Sequence, residues 1–151
     1  KSVPGSGVPD SGMNIAFAAE NPAGSEDIAG IEGKMRHRNG RTTKGPAKFG
    51  TAGHLSFVIL EAMQKDPEKR SAMNISYSDD YADVMEEVGM IVGKMDLKKN
   101  RNMSLRELVS NSISRCGCVP DAITDKTSHD RMIWIIGKDP KDVTDKLWQF
   151  L

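Results

Sequence analysis

Cysteine, aromatic residues and long apolar runs are all scarce in this sequence. Its two cysteines, Cys116 and Cys118, are too few for a disulfide framework or a four-ligand zinc site, which favours a reducing, cytoplasmic setting. No apolar run approaches the roughly 18 residues of a membrane span, and no signal peptide is recognisable. The 21 basic and 21 acidic side chains cancel, so net charge gives no reason to expect a nucleic-acid or membrane surface.

The 151 residues are enough for one domain with a genuine core. Residues 1–12 are rich in Pro, Gly and Ser, which predicts a linker or disordered lead-in before a domain over 13–151. Because the sequence starts at Lys1 rather than methionine, we expect a processed chain or a piece of a longer one.

Strands and helices are predicted to alternate along the chain, which is typical of a layered α/β domain. The predicted strands cover 13–19, 70–77, 90–95, 121–124 and 131–137, and residues 21–33 are predicted as turns with a short helix or loop. Helices are predicted from an N-cap at Thr51, from a cap at Ser78, from a Ser104–Glu107 capping box, and from Asp139-Pro140.

A glycine-bearing turn precedes the first helix, in the sequence FGTAGH. Gly50, Thr51 and Gly53 could present backbone amides to an anion at the positive end of the helix dipole, with His54 in the first turn. A tight strand-to-helix turn without a ligand explains the same residues. The motif is neither a Walker loop nor GxGxxG.

A basic segment surrounds Asn39-Gly40, the dipeptide typical of a two-residue hairpin. Strand alternation predicts that Lys34, Arg36 and Arg38 share one face, which would suit a phosphate or diphosphate. A solvated sheet edge protected by charge is the alternative. The cations of this segment are Lys34, Arg36, Arg38, Arg41, Lys44 and Lys48.

Metal ligation has little support in the sequence. His37 and His129 have no partners at metal-ligand spacing, so no protein-bound metal is predicted. Asp121, Asp125 and Asp130 surround a polar loop, for which solvation is the default and ligand contact the alternative.

Three segments resemble the archaeal-type thiamine-phosphate synthase (ThiN) family. The most specific is GKMRHRNGRTTKGPAKFGTAGHLSFVILEAMQKDPEKRSAMNISYSDD (33–80), and the flanking matches are VPDSGMNIAFAAENPAGSEDIAGIEG (8–33) and CVPDAITDKTSHDRMIWIIGKDPKDV (118–143). The resemblance implies a three-layer α/β/α fold with a mixed sheet, of the class II aldolase-like kind.

The resemblance also implies a function, the joining of hydroxymethylpyrimidine diphosphate to thiazole phosphate with release of diphosphate. Mg²⁺ would be bound through the diphosphate of the substrate. Lys34 and His54 fall at the family's functional positions. The ligand would be a small phosphate compound. No membrane partner is expected, nucleic acid would be bound only through a separate upstream domain, and a homo-oligomer is possible. We assign substrate binding to Arg36, Lys48, Gly50, Thr51, Gly53, Asn74 and Asp125.

The sequence departs from the family pattern at three places. Lys34 replaces an arginine, MDLKKNRNMSLRELV (95–109) lacks the family's acidic run, glycine-serine pair and tryptophan, and DKTSHDRM (125–132) replaces a glycine-containing loop. Two functions therefore stay open. One is the enzyme, and the other is a thiamine-phosphate-sensing domain of a helix-turn-helix transcription regulator.

Overall fold

A computed structural model describes residues 7–95, 101–127 and 130–151. His129 and parts of the lead-in and of both divergent segments, namely residues 1–6, 96–100 and 128–129, lie outside these ranges. The proposed boundary at residue 12 stays a prediction, although Pro9 is buried and its carbonyl accepts from the Gly12 amide at 2.8 Å.

The described residues form a seven-stranded mixed sheet and a separate hairpin. The order in the large sheet is β5-β2-β1-β6-β9-β8-β7, in which β7 and β8 are parallel and the other neighbours antiparallel. Its strands are β1 (Ile15–Ala18), β2 (Ile28–Ile31), β5 (Ala47–Phe49), β6 (Ser71–Ser76), β7 (Val92–Met95), β8 (Ala122–Asp125) and β9 (Met132–Gly137). The hairpin pairs β3 (Met35–Arg38) with β4 (Arg41–Lys44).

Helices cover both faces of the sheet, which confirms the three-layer α/β/α prediction. Along β9, Trp134 and Ile136 pack into one core with α1 and α3, whereas Ile133 and Ile135 pack into the other with α2 and α4. This alternation follows from the two-residue period of a strand buried on both faces. The helices are α1 (Leu55–Lys65), α2 (Asp79–Glu87), α3 (Leu105–Cys116) and α4 (Pro140–Phe150).

Most predicted elements are present, and the corrections are local. Strands β2 and β5 were not predicted, and the N-cap position of α1 is His54 rather than Thr51. The Thr51 hydroxyl instead donates to the Lys48 carbonyl at 2.7 Å. Val88 has the helical spacing of an inward-facing residue relative to Tyr81, Val84 and Met85, but it follows the last residue of α2 and is 46% exposed. Among the described residues, no helix combines the length and apolar character needed to cross a bilayer.

The capping box predicted for α3 is present. The Ser104 hydroxyl accepts from the Glu107 amide at 3.2 Å, and the Glu107 carboxylate accepts from the Ser104 amide at 2.7 Å. We expect Ser104→Ala to lower the free energy of unfolding by about 1 kcal/mol, because the Glu107 amide at the helix start loses its acceptor.

Ser78 provides the matched control for this change. It occupies the N-cap position of α2, but its side chain makes no capping hydrogen bond. Ser78→Ala should therefore change stability much less in the same urea titration. Equal losses in the two variants would show that the hydroxyl of the box contributes nothing measurable.

An ion pair joins α4 to the loop before β8. The Lys146 ammonium lies 2.9 Å from Asp121 Oδ1, and Asp121 Oδ2 accepts from the Ile91 amide at 2.9 Å. Burial acts to raise the pKa of the Asp121 carboxyl, but the Ile91 hydrogen bond and Lys146 outweigh it and leave this pKa below its ordinary value.

This lowered pKa predicts a loss of stability in acid. A carboxyl whose pKa is lower in the folded than in the unfolded chain stabilises the fold above the unfolded value of about 4, and that contribution disappears as the pH falls through the folded pKa. We expect Asp121→Asn to flatten the decline in unfolding free energy below about pH 4. Asp145→Asn, which removes an exposed partner of Lys141, serves as control. An unchanged pH profile in Asp121→Asn would contradict the expectation.

Candidate functional site

A cleft of about 420 Å³ opens where β1, β6, β8 and β9 meet the start of α1. Four residues predicted from the sequence line it together, namely Lys34, His54, Asn74 and Asp125. Three other clefts, of about 440, 430 and 550 Å³, contain none of the predicted site residues among the described part of the chain. The cleft that contains Lys34 and His54 is therefore the candidate site.

Lys34 enters the cleft from a turn and not from the hairpin strand. Its amide donates to the Ile31 carbonyl at 3.0 Å, and both Gly33 and Lys34 have positive φ, at +70° and +64°. A left-handed conformation is costly for a lysine, and such conformations occur disproportionately at functional sites. The Lys34 ammonium donates to the Ser11 carbonyl at 3.1 Å, which holds it beside the cleft.

Gly12 lies close against the Lys34 side chain. A Cβ added to Gly12, whose φ is +93°, would lie 3.0 Å from Lys34 Cδ and 3.1 Å from Lys34 Cβ. The absence of a side chain at Gly12 therefore leaves the space in which the Lys34 side chain runs toward Ser11.

His54 stands at the start of α1 with its side chain exposed. Its ring stacks on Phe57, with centroids 6.3 Å apart and an angle of 27° between the planes. The amides of Leu55, Ser56 and Phe57 donate to carbonyls three residues earlier, at 3.1 to 3.2 Å. Within the described residues, the amides of Ala52, Gly53 and His54 have no such acceptor, so the turn keeps donors for an anion.

Both glycines of this turn have the backbone conformation that glycine favours. The φ angles are +79° at Gly50 and +58° at Gly53, and a Cβ at either would meet nothing within 4 Å. Backbone conformation, and not space, therefore explains these two glycines. Neither lines the cleft, so close approach of a ligand to them stays a prediction.

The carboxylate side of the cleft is formed by Asp125 and Asp130. Asp125 is only 1% exposed at the end of β8, and its Oδ1 accepts from the Thr127 amide at 2.9 Å and the Thr127 hydroxyl at 3.0 Å. Asp125 faces Met132 in the β8–β9 register, which places it diagonally across from Trp134 on the same sheet face. An apolar wall therefore adjoins an acidic one.

The basic hairpin does not converge on this cleft. Asn39 and Gly40 have φ of +51° and +72°, so the predicted two-residue turn is confirmed. Arg36 and Arg38 nevertheless lie outside the cleft lining, because Lys34 precedes β3 and does not share its strand alternation. Lys48 lies on β5, where its ammonium is 3.6 Å from an exposed Glu32 carboxylate.

Several cleft residues were not predicted, and Asn14 is the clearest. Asn14 and Asn74 are 2% and 7% exposed, and the Asn14 amide donates to Asn74 Oδ1 at 2.7 Å. Each is the central residue of a Met-Asn-Ile tripeptide in a predicted strand. A single asparagine within an apolar strand is therefore the sequence feature that could have identified Asn14 as a site residue. The other lining residues not predicted are Ser11, Ala52, Leu105, Met132 and Trp134.

Comparison with known proteins shows which family this chain resembles. The family model described as thiamine-phosphate synthase ThiN matches residues 4–149. The chain is 28% identical to thiamine-phosphate synthase ThiN of Methanothermobacter thermautotrophicus over 108 residues, which are 70% of this chain and 56% of that protein. It is 29% identical to the bifunctional thiamine biosynthesis protein ThiDN of Methanocaldococcus jannaschii over 146 residues, 93% of this chain and 35% of that protein.

Solved structures agree with the sequence comparison. The C-terminal domain of phosphomethylpyrimidine kinase superposes with a TM-score of 0.86 at 25% identity, covering 98% of this chain and 89% of that domain. The C-terminal domain of protein MJ0236 gives 0.83 at 26% identity, with 94% and 80% covered. YgbL from Escherichia coli, at 9% identity and a TM-score of 0.55 over 95% and 76% of the two chains, shares the fold alone.

The match to curated relatives is partial in length, since the chain spans about half of one and about a third of the other. The family model nevertheless covers almost every residue, and the two C-terminal domains match over most of their own length. The chain belongs to the thiamine-phosphate synthase ThiN family.

Proposed function

We propose that this chain is a thiamine-phosphate synthase-type domain, which joins hydroxymethylpyrimidine diphosphate to thiazole phosphate and releases diphosphate. The observation that carries the proposal is the convergence of Lys34 and His54 on one cleft with Asn74 and Asp125. Family membership supplies the reaction class, and the cleft supplies side chains of the kind that this reaction needs.

The chemistry requires positive charge where the diphosphate leaves. Departure of the diphosphate from the pyrimidine methylene leaves a stabilised cation, which the thiazole nitrogen then attacks. We assign Lys34 and His54 to the departing diphosphate, since donors aimed at developing negative charge lower the barrier. The amides of Gly53 and His54 would add further donors at the positive end of α1.

The apolar wall of the cleft suits the two heteroaromatic rings. Trp134 is 5% exposed and lies next to Leu105 and Met132 in the lining, so it offers an aromatic surface among apolar side chains. A ring held against this wall would be aligned with the second ring, and alignment of two reactants is itself a large part of such a catalytic effect. Asn74 would then hydrogen-bond polar atoms at the ring edges.

We assign magnesium to this site as a companion of the diphosphate. In the described ranges, no group of three or more His, Cys, Asp and Glu side chains is arranged to hold a metal ion. Mg²⁺ is commonly bound by one or two carboxylates together with substrate phosphates. Asp125 and Asp130 line the cleft and are the two carboxylates that would hold it, where the ion would neutralise charge on the leaving group.

A sensing domain is the second candidate function. The observation in its favour is Lys34, which carries a charge but lacks the two-pronged guanidinium of the arginine expected at this position. A sensor needs to hold thiamine phosphate but does not need to stabilise a transition state. Cytoplasmic location, a homo-oligomer and a separate nucleic-acid-binding domain stay predictions under either function.

Calorimetry with thiamine phosphate and unphosphorylated thiamine tests the ligand class. We expect thiamine phosphate to bind about tenfold or more tightly, because charge-assisted hydrogen bonds to the phosphate are lost in thiamine. His54→Ala should reduce this difference in affinity, because it should weaken the binding of thiamine phosphate and leave that of thiamine unchanged. Equal affinity for the two compounds, or binding of neither, would overturn the proposed function.

A further inference from the structure

One buried amide side chain connects the two turns that carry Lys34 and His54. Asn14 stands just before β1 and lines the cleft, with 2% of its surface exposed. We propose that Asn14 is a positioning residue, which sets the Lys34 turn against the His54 turn for binding the phosphate ligand. This inference rests on the proposed function.

The connection to Lys34 runs through the oxygen of the Asn14 side chain. Asn14 Oδ1 accepts from the Ile31 amide at 2.8 Å and from its neighbour, the Ile15 amide, at 2.9 Å. The Ile31 carbonyl in turn accepts from the Lys34 amide at 3.0 Å. Asn14 therefore fixes the residue from which the Lys34 turn starts.

The connection to His54 runs through the nitrogen of the same side chain. Asn14 Nδ2 donates to the Thr51 carbonyl at 3.1 Å and makes a longer contact to the Ile31 carbonyl at 3.5 Å. Thr51 is followed by Ala52, whose carbonyl accepts from the Leu55 amide at 3.2 Å as the helix begins. The segment that ends in His54 is therefore held by the amide nitrogen of the side chain at position 14.

The backbone of Asn14 is itself fixed by the second buried asparagine. The Asn14 amide donates to Asn74 Oδ1 at 2.7 Å, and Asn74 Nδ2 donates to the Gly12 carbonyl at 3.1 Å. Both hydrogen bonds are buried, where an unpaired polar group is costly and pairing fixes geometry. Asn14 thus has a defined orientation from which to hold both turns.

Asn14→Asp acts mainly on the His54 side. Aspartate keeps an oxygen for the Ile31 and Ile15 amides, but it cannot donate to the Thr51 carbonyl at 3.1 Å or make the longer contact to the Ile31 carbonyl at 3.5 Å. We expect the dissociation constant for thiamine phosphate to rise about tenfold while the stoichiometry stays near one, because small displacements of a binding group are costly. The control is Asn111→Asp, which makes the same substitution at an exposed side chain on α3.

A double-mutant cycle with His54→Ala distinguishes positioning from a general loss of folding. If Asn14 acts through His54, Asn14→Asp should have little further effect on affinity once His54 is alanine. Full additivity of the two changes would overturn the inference. A reduced stoichiometry with an unchanged dissociation constant would also overturn it, since that result describes a smaller folded fraction.

Asn14→Ser keeps the test informative if a buried carboxylate prevents folding. Serine carries no charge and is too short to replace both connections, so the same rise in dissociation constant at unchanged stoichiometry is expected. An unchanged dissociation constant in this variant would contradict positioning. The proposed function fails separately, when the unsubstituted chain itself does not prefer thiamine phosphate to thiamine.

Discussion

Replacing His54 by alanine or Lys34 by glutamine should lower the rate of diphosphate release by roughly 10² or more, which corresponds to about 2.7 kcal/mol of transition-state stabilisation. The reason is that, in the proposed reaction, negative charge on the leaving diphosphate grows toward the transition state. A group that faces this charge stabilises the transition state more than the bound substrates. The loss should therefore appear mainly in kcat rather than in KM.

The measurement is diphosphate release from the pyrimidine diphosphate and thiazole phosphate substrates in the presence of magnesium. The hairpin offers a matched control for each variant, namely Lys44→Gln and His37→Ala, since both residues are exposed and outside the cleft. These two controls should retain turnover within a few-fold of the unsubstituted chain.

Two results would contradict the catalytic assignment. Turnover that is equal in His54→Ala and His37→Ala would remove His54 from the chemistry. Absence of diphosphate release in a folded chain that binds thiamine phosphate would reject the enzyme and leave the sensing domain. Lys34→Arg is a separate test of position 34, because it supplies the guanidinium that the resemblance implies and should raise turnover if the lack of a bidentate donor limits the rate.

Gly30→Ala should destabilise the fold through a clash that no side-chain rotation can relieve. A Cβ on Gly30 would lie 2.8 Å from the Ala52 Cα, 2.9 Å from the Ala52 nitrogen and 2.9 Å from the Thr51 carbonyl oxygen. All three atoms belong to the backbone, so the segment itself must shift. We expect a loss of about 1 to 3 kcal/mol in the free energy of unfolding, as for other overpacked sites.

The same substitution should also weaken ligand binding, because the displaced segment leads directly to His54. Gly93→Ala is the matched control, since Gly93 also lies in a strand and its added Cβ would make only ordinary contacts at 3.5 Å. Thermal unfolding and calorimetry on both variants check the prediction. Equal melting temperatures in the two would show that the Thr51–Ala52 segment shifts at no cost.

The helices and strands predicted correctly are those in which the pattern of apolar and polar side chains along the element itself indicates its type. The apolar residues Leu55, Val58, Ile59, Ala62 and Met63 have the spacing of one helical face, and in α1 the first four are at most 3% exposed while Met63 is partly buried. Strand β5 was not predicted because Ala47, Lys48 and Phe49 are all exposed, so this edge strand lacks the apolar alternation of a half-buried strand. Its pairing with β2, and not its composition, makes it a strand.

The candidate site was predictable only where the residue type and its motif indicate the chemistry. Lys34 and His54 are 20 positions apart, and the resemblance selected both without indicating that one cleft contains them. Alternation failed for Arg36 because Lys34 has a left-handed backbone and lies outside β3. Asn14 was missed because its role depends on Ile31 and Thr51, which only the folded sheet brings to it.

The position of β1 in the sheet has a consequence for how the chain folds. Strands β2 and β5 reach the rest of the large sheet only through β1, and β1 pairs with β6 between residues about 60 positions apart, as the Asn14–Asn74 hydrogen bond illustrates. Pairing residues this far apart in sequence has an entropic cost of loop closure, and such pairings slow the folding reaction. The cleft, in which Asn74 and Asp125 join Lys34 and His54, is therefore complete only after this long-range step, and a ligand that needs the whole cleft stabilises only chains that have completed it.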